Sequence, residues 1–142
     1  MAIQQIINGK IWKACYTSPS NIHGTGLFAG EAIEARNKIG SLSGLLVKNE
    51  SLPKKFSEHA SISIVELDNG ISLDARKLKN DLCFINHSCN PNCYMRIRGT
   101  EVEVYSLKRI TKNTELTMNY GETHHEGKLR CMCGGPDCKG KI

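Results

Sequence analysis

Short strand-like segments separated by turn residues are the feature that most limits how this chain can fold. Residues 101–105, EVEVY, alternate polar and apolar side chains, which is the period of a half-buried strand. No alternation of strands with long helices is visible, so a doubly wound nucleotide-binding fold is not expected. The prediction is a mainly β protein with several short sheets and few short helices. Strands are predicted at 11–16, 26–30, 38–47, 61–67, 70–75, 93–98, 101–107 and 115–120, with helical turns at 52–59 and 75–81.

Closely spaced cysteines near the end of the chain predict a structural zinc site. Cys131, Cys133 and Cys138 follow a C-x-C-x-x-x-x-C spacing, and the Gly-Gly-Pro sequence at 134–136 supplies a tight turn. Structural zinc takes four ligands in a tetrahedron, so three cysteines need a fourth partner. A set of unrelated buried thiols is the alternative, and the spacing favours zinc. The spacing alone leaves the fourth ligand open among Cys89, Cys93, Cys15, Cys83, His124 and His125.

Charge and hydropathy exclude several classes of protein. The 142 residues carry a formal net charge of +5, and zinc held by four thiolates would lower this to about +3. Direct nucleic-acid binding is therefore not expected. No apolar run approaches the ~20 residues of a membrane span, and residues 1–20 do not resemble a signal peptide. We expect one domain, not membrane-bound, in a reducing compartment, cytoplasmic or nuclear, where cysteines bind metal rather than form disulfides.

Four stretches, in this order, resemble SET-domain lysine methyltransferases that carry a post-SET cysteine tail. Their motif sequences are most similar to those of the trithorax type. They are NIHGTGLFAGEAI (21–33), ISLDARKLKNDLCFINHSCNPNC (71–93), ELTMNYGE (115–122) and CMCGGPDCKG (131–140). The resemblance implies a β-clip SET fold whose C-terminal tail is threaded, in a knot-like way, close to the NHSC segment. The regions that it implies are an N-terminal extension at 1–14, the SET domain at 15–122 and the zinc-binding post-SET tail at 123–142.

The same resemblance implies a site for S-adenosylmethionine. Asn86 and His87 of the NHSC motif would hold the methionine part of this cofactor. The backbone of the HGTG sequence would wrap it, because glycines allow close approach to a ligand. By itself this G-x-G is a weak signal, and a tight turn between strands is the alternative. The implied cofactor residues are His23, Gly24, Thr25, Gly26, Asn86, His87 and Met132, the last of which could instead fill an apolar gap.

Tyr120 is implied as the catalytic residue. Its hydroxyl would orient the substrate amine and polarise the methyl group, whereas the alternative is a core tyrosine at a strand end. No strong general base is needed, because an apolar channel ending at a positive sulfur lowers the pKa of the substrate lysine. The tail, folded back, would close one wall of this channel. The implied zinc ligands are Cys89, Cys131, Cys133 and Cys138.

Some positions depart from the family pattern. Leu42 stands where a tyrosine is usual, which removes a hydroxyl from the expected active site. Met118 stands at a position that usually holds phenylalanine or tyrosine and sets the number of methyl groups added, where a tyrosine hydroxyl favours monomethylation. Both side chains are predicted to line the substrate channel, and the flexible Met118, which has no hydroxyl, favours di- or trimethylation. Cys83 replaces an arginine, and Ser63 replaces a tyrosine.

Turn residues are consistent with the predicted SET-type β fold. The RGTE sequence (98–101) predicts a hairpin turn. Asn37 and Asn113 lie where family members often carry glycine, before the predicted strands 38–47 and 115–120. Asparagine tolerates a positive φ better than other non-glycine residues, so both are expected in turns.

The predicted function is S-adenosylmethionine-dependent methylation of lysines in basic tails, on histones or other chromatin-like proteins. The short insert at 48–70 favours an open peptide groove, and so either loose specificity or an activating partner. One alternative is a catalytically weak SET-fold module that binds a lysine peptide or the cofactor. Another is a zinc-ribbon nucleic-acid binder, for which clustered basic residues and aromatics are lacking. Because the chain is itself positive, acidic side chains would have to line the groove, namely Glu58, Glu66, Glu101, Glu103 and Glu122.

Overall fold

Eleven short strands form three sheets in the part of the chain that the computed structural model describes, residues 5–52, 64–67, 70–76 and 78–119. Two short 3₁₀ helices, Asn49–Ser51 and Asp81–Phe84, lie between strands. The mainly β architecture expected from the sequence is therefore confirmed. The strands are β1 (Gln5–Ile7), β2 (Cys15–Pro19), β3 (Thr25–Ala29), β4 (Lys38–Ser41), β5 (Gly44–Lys48), β6 (Ile64–Glu66), β7 (Ile71–Asp74), β8 (Asn86–His87), β9 (Cys93–Arg98), β10 (Glu101–Ser106) and β11 (Thr117–Met118).

The sheets differ in how far apart in the sequence their neighbouring strands lie. Strands β2 and β3 form a local antiparallel hairpin, and the four-stranded sheet has the order β1-β5-β7-β6. The five-stranded sheet has the order β4-β10-β9-β11-β8, and β11 runs parallel to both of its neighbours. This insertion of β11 between β8 and β9 brings the NHSC motif beside the segment that precedes Tyr120.

The segment 114–116 joins the hairpin to the five-stranded sheet. Leu116 donates its N–H to the Leu27 carbonyl at 2.8 Å, and Ala29 donates to the Thr114 carbonyl at 2.9 Å. The backbone of Glu115 lies opposite Phe28 in the same short ladder. Because β11 follows directly, one stretch of chain fixes the position of β3 relative to β8.

The core is aliphatic, as the small number of aromatic residues in the sequence requires. Burying such side chains stabilises the fold by about 1.5–3 kcal/mol each. The largest fully buried apolar side chains are Leu27, Ile33, Ile39, Leu42, Leu73, Leu82, Ile85, Ile110, Leu116, Val102 and Val104.

Several predicted boundaries shift. The predicted strand 38–47 divides at Leu42 and Ser43, where the chain leaves the five-stranded sheet and enters the four-stranded one. The predicted strand 11–16 begins only at Cys15, although Ile11 forms an isolated bridge with Gly40. The predicted strand 93–98 is observed with the same bounds. Most of the predicted helix 52–59 lies outside the described residues.

Turn conformations confirm one asparagine prediction and correct the other. Asn113 has a φ of 69°, as expected for a residue that replaces glycine in a turn. Before β4, however, the positive φ of 65° is at Arg36 and not at Asn37. Gly99, with a φ of 59°, turns the chain between β9 and β10, which confirms the predicted hairpin at 98–101. Within the described part of the chain, no helix has the length and apolar character needed to cross a membrane.

Candidate functional site

A tight loop at 20–24 forms one side of the candidate site. Ser20 donates its N–H to the Gly24 carbonyl at 2.8 Å, and Gly24 has a φ of 47°. The Ser20 hydroxyl oxygen accepts the N–H groups of Ile22 at 2.9 Å and His23 at 3.3 Å. A serine that accepts nearby backbone donors in this way stabilises a turn locally. The HGTG sequence therefore begins in a loop where some backbone N–H groups are hydrogen-bonded to other atoms of the same loop.

Asn86 attaches this loop to β8. Its side chain is 1% exposed, and its Nδ2 lies 3.1 Å from Ser20 Oγ, 3.0 Å from the His23 carbonyl and 3.5 Å from the Thr25 carbonyl. Nδ2 also lies 3.0 Å from Glu115 Oε2. The two amide hydrogens are shared among these four oxygens. All four can accept, which fixes the amide orientation with Nδ2 toward this cluster and Oδ1 away from it.

The carboxylate of Glu115 closes the cluster. Ser20 Oγ lies 2.9 and 2.8 Å from the two carboxylate oxygens of Glu115, so the hydroxyl donates its proton to them. A Cβ added to Gly26 would lie only 2.5 Å from Glu115 Oε2. A side chain at position 26 would therefore have to displace the Glu115 carboxylate.

The rest of the NHSC segment is tied to β11. Thr117 pairs with Asn86, and Met118 pairs with both His87 and Cys93. The His87 ring is nearly buried, with Nε2 3.4 Å from Cys89 Sγ. Cys89 itself is half-buried.

The predicted zinc site falls mostly outside the described residues. Only Cys89 of the four predicted ligands is described, and residues 5–52, 64–67, 70–76 and 78–119 contain no group of three side chains able to hold a metal ion. The other described cysteines that could supply the fourth ligand are half-buried, in the case of Cys15, or buried, in the case of Cys83 and Cys93. Burial raises the pKa of Cys15 to about 11 and the pKa of Cys93 to about 12, and burial also raises the pKa of Cys83. A raised pKa makes loss of the thiol proton, which zinc binding requires, more costly at these three cysteines.

The two predicted channel residues are buried. Leu42 has no exposed surface and Met118 is 2% exposed, and both belong to the core cluster. Tyr120, Met132 and Ser63 lie outside the described residues.

One of the acidic side chains expected to line a peptide groove does not face solvent. Glu103 is 1% exposed, because Lys38 on the neighbouring strand pairs with it at 2.8 Å and with Glu101 at 2.9 Å. The prediction that Glu103 lines an open groove is therefore wrong. Glu66 accepts a hydrogen bond from Asn49, and Glu58 and Glu122 lie outside the described residues.

Ser20 and Glu115 are functional candidates that sequence reasoning missed. The position of Ser20 two residues before the Ile-His-Gly sequence is a signal for a serine-stabilised turn. Glu115 carried no such signal, because its contact with Ser20 spans 95 residues of sequence.

Comparison with known proteins gives consistent matches. Residues 24–121 match the family model described as SET domain. The chain is 33% identical over 132 residues to human Histone-lysine N-methyltransferase SETD1B, a match that covers 87% of this chain and 7% of the relative. It is 31% identical over 139 residues to the H3 lysine-4 specific histone-lysine N-methyltransferase of Schizosaccharomyces pombe, covering 92% of this chain and 15% of that protein. The chain thus spans a small part of the length of the curated relatives it matches.

Solved structures share the arrangement of strands. A crystal structure of KRYPTONITE in complex with mCHH DNA, H3(1-15) peptide and SAH superposes with a TM-score of 0.78 at 23% identity, covering 93% of this chain and 30% of that one. An active polycomb repressive complex 2 in the basal state gives a TM-score of 0.68 at 28% identity, covering 78% of this chain and 15% of that one.

Proposed function

The chain belongs to the SET-domain family, and on that premise we propose that it is an S-adenosylmethionine-dependent protein-lysine N-methyltransferase. The proposed substrates are lysines in the basic tails of histones or other chromatin-like proteins. The observation that carries the proposal is the convergence of the 20–26 loop, Asn86 and Glu115. This cluster holds the buried Asn86 side chain in one orientation beside a glycine-containing loop.

The residues present fit the methyl donor. Asn86 Oδ1 is an acceptor for a cationic amino group, and it lies on a side chain that the loop holds in one orientation. A Cβ at Gly24 would meet no atom within 4 Å, so the backbone there leaves room for a ligand. We assign the cofactor contacts to residues 23–26, Asn86, His87 and, in the tail, Met132. When bound, S-adenosylmethionine supplies a methyl group on a positively charged sulfur.

The chain's own contribution to the reaction is positioning. The substrate lysine must lose its proton before it can attack, and at pH 7 this costs about 4–5 kcal/mol for a free side chain of pKa ~10.4. A narrow apolar channel lowers this cost by desolvating the ammonium form. Buried apolar side chains such as Leu42 and Met118 suit the wall of such a channel. Tyr120 would orient the amine through its hydroxyl.

We further propose that zinc binds Cys89 together with Cys131, Cys133 and Cys138. The ion would supply a cross-link that folds residues 123–142 back toward the NHSC segment. Thiolate ligands suit structural zinc, and the position of Cys89 two residues after His87 puts the link beside the cofactor residues.

Substrate, partners and location are proposed by analogy with the relatives. SETD1B is named a histone-lysine methyltransferase, and KRYPTONITE was solved with an H3 peptide. Both names support a histone tail as substrate and a location at chromatin. The polycomb structure is of a multi-subunit complex, which fits the expectation that a short groove insert calls for an activating partner.

A catalytically weak binding module is the second candidate. It is favoured by one observation, since Leu42 places an aliphatic, fully buried side chain where the family usually has a hydroxyl. Such a module would bind the cofactor or a lysine peptide without turnover.

One experiment separates the two candidates. The purified chain is incubated with labelled S-adenosylmethionine and core histones, alongside the variants Tyr120→Phe and Tyr16→Phe. Tyr16→Phe is the matched control, because it removes a tyrosine hydroxyl that donates to Asn113 Oδ1 at 2.9 Å, outside the candidate site. The enzyme should yield methyl-lysine by mass spectrometry, with turnover lowered about 100-fold or more in Tyr120→Phe and unchanged in Tyr16→Phe. Cofactor binding without any product would favour the binding module.

A further inference from the structure

We propose that Ser20 and Glu115 are positioning residues that set the orientation of the Asn86 amide and hold the 20–26 loop in its cofactor-binding shape. The inference rests on the proposed function, because it concerns the same cofactor site. Neither side chain is assigned a contact with the cofactor. Both act through Asn86 and the loop.

Glu115 decides which end of the Asn86 amide faces the loop. Its Oε2, 3.0 Å from Nδ2, can only accept in the ionised form. The Ser20 O–H donates its hydrogen bond to Glu115, so the hydroxyl oxygen can only accept from Asn86. A flipped amide would therefore face oxygen with oxygen, and Oδ1 is directed away from this cluster.

Ser20 connects the carboxylate to the loop. Its oxygen accepts hydrogen bonds from two loop N–H groups and from the Asn86 amide, and its O–H donates a hydrogen bond to Glu115. One hydroxyl thus links three segments that are up to 95 residues apart. Loss of this hydroxyl would leave the Ile22 and His23 N–H groups and the carboxylate without their shared partner.

The fold does not depend on the Glu115 side chain for its backbone course. The Glu115 carbonyl accepts from Asn92 Nδ2 at 2.9 Å, and the neighbouring Leu116 and Thr114 pair with β3. These backbone bonds remain when the side chain is changed. The carboxylate also forms no ion pair with a cation among the residues described. Its contacts are those to Ser20, Asn86 and the loop, which is what a positioning role requires.

The test compares Glu115→Gln and Ser20→Ala with matched controls in the full chain. Glu34→Gln changes an exposed carboxylate paired with Arg109, and Ser51→Ala removes an exposed hydroxyl that donates to the Lys48 carbonyl. For each variant, the dissociation constant for S-adenosylmethionine is measured by calorimetry, kcat and KM by methyl transfer, and Tm by thermal unfolding.

Glu115→Gln replaces one of the two acceptor oxygens that face Ser20 and Asn86 by an NH2 donor, so the two partners can no longer both be satisfied as in the wild type. We expect Kd and KM for S-adenosylmethionine to rise about 10- to 100-fold, with kcat at saturating cofactor within about threefold of the wild type. Ser20→Ala should act in the same direction, and the double variant should be less than additive because both changes break one network. The controls should match the wild type.

Other outcomes overturn the inference. Unchanged Kd in both variants would remove the positioning role, and so would a fall in kcat with KM unchanged. A large drop in Tm that accounts for the lost binding would make the residues structural only. A wild-type chain that binds no S-adenosylmethionine would overturn the proposed function and this inference with it, whereas normal wild-type turnover with unaffected variants would overturn the inference alone.

Discussion

Glu103 is a buried carboxylate on a strand that otherwise alternates between core and surface. The hydrogen bond from Lys38, reinforced by the lysine charge, holds the pKa of Glu103 below its ordinary value of 4.5. The same hydrogen bond raises the pKa of Lys38. Glu103 Oε1 has no hydrogen-bond partner among the described residues, so Lys38 and Tyr105 satisfy only the other oxygen. Removing the charge of either partner should therefore change how stability depends on pH.

Glu103→Gln should abolish part of the acid sensitivity of the fold. A carboxyl whose pKa is lowered on folding stabilises the native state above its unfolded pKa, and this contribution is lost as the pH falls through the folded value. We expect the wild type to be more stable than the variant at pH 7, and the difference to shrink as the pH falls below about 4.5 and through the lowered pKa of Glu103. Urea unfolding between pH 3 and 8 measures the difference. Glu34→Gln, in an exposed pair, should shift stability by at most about 0.5 kcal/mol, and parallel curves for Glu103→Gln would contradict the argument.

Met118 is the residue expected to set the number of methyl groups. Its side chain is 2% exposed and lacks a hydroxyl, so a methylated amine beside it meets no bound water that it would have to displace. We predict di- or trimethyl-lysine from the wild type and a shift toward monomethyl-lysine in Met118→Tyr, read by mass spectrometry. Met118→Phe is the control, because it adds the ring without the hydroxyl and carries the same overpacking cost of about 1–3 kcal/mol. A wild type that yields only monomethyl-lysine would rule out this role.

Among the structural elements, those fixed by local pattern were predictable and those fixed by distant pairing were not. Strand β9 and its hairpin with β10 follow from alternation and a glycine turn, so their predicted positions are confirmed. Strand β8 was not predicted, and only Thr117–Met118 of the predicted strand 115–120 forms β11, because a parallel pairing between distant segments defines both strands. No local signal shows where such a short pairing begins and ends. For the same reason Asn86 could be selected from its motif, whereas its contacts with Ser20 and Glu115 could not.

Strand β3 begins at the loop, and Gly26 lies where it passes the Glu115 carboxylate. A Cβ at Gly26 would lie 2.5 Å from Oε2, which is the movable end of a side chain. Gly26→Ala should therefore displace the carboxylate at little cost in stability, with Tm lowered by a few degrees at most. We expect cofactor affinity, measured by calorimetry, to fall about tenfold or more.

A second variant tells crowding from lost positioning. Gly26→Ala combined with Glu115→Ala removes the carboxylate, the nearest group that the new Cβ would meet, so Tm should recover in part while cofactor affinity should stay low. Full recovery of affinity would mean that crowding alone caused the loss.

At the scale of the whole molecule, the proposed zinc site would join the described sheets, through Cys89, to the C-terminal residues 123–142. A chain of 142 residues buries a modest core, and a metal that binds only the folded state adds stability through linkage. Cys89 is the one proposed ligand among the described residues, and its Sγ lies 3.4 Å from Nε2 of His87, which is adjacent in sequence to Asn86. Zinc should therefore stabilise the fold and the cofactor site together.

Zinc removal is the test of this coupling. We expect about one zinc per chain by elemental analysis, and chelation should lower Tm by about 5 °C or more and weaken S-adenosylmethionine binding at least tenfold. Cys89→Ser and Cys138→Ser should each reproduce both effects. Cys15→Ala is the matched control, because burial raises the pKa of that thiol to about 11 and keeps it protonated, whereas zinc takes the thiolate. Loss of zinc in Cys15→Ala with retention in Cys89→Ser would move the fourth ligand to β2 and separate the metal from the cofactor loop.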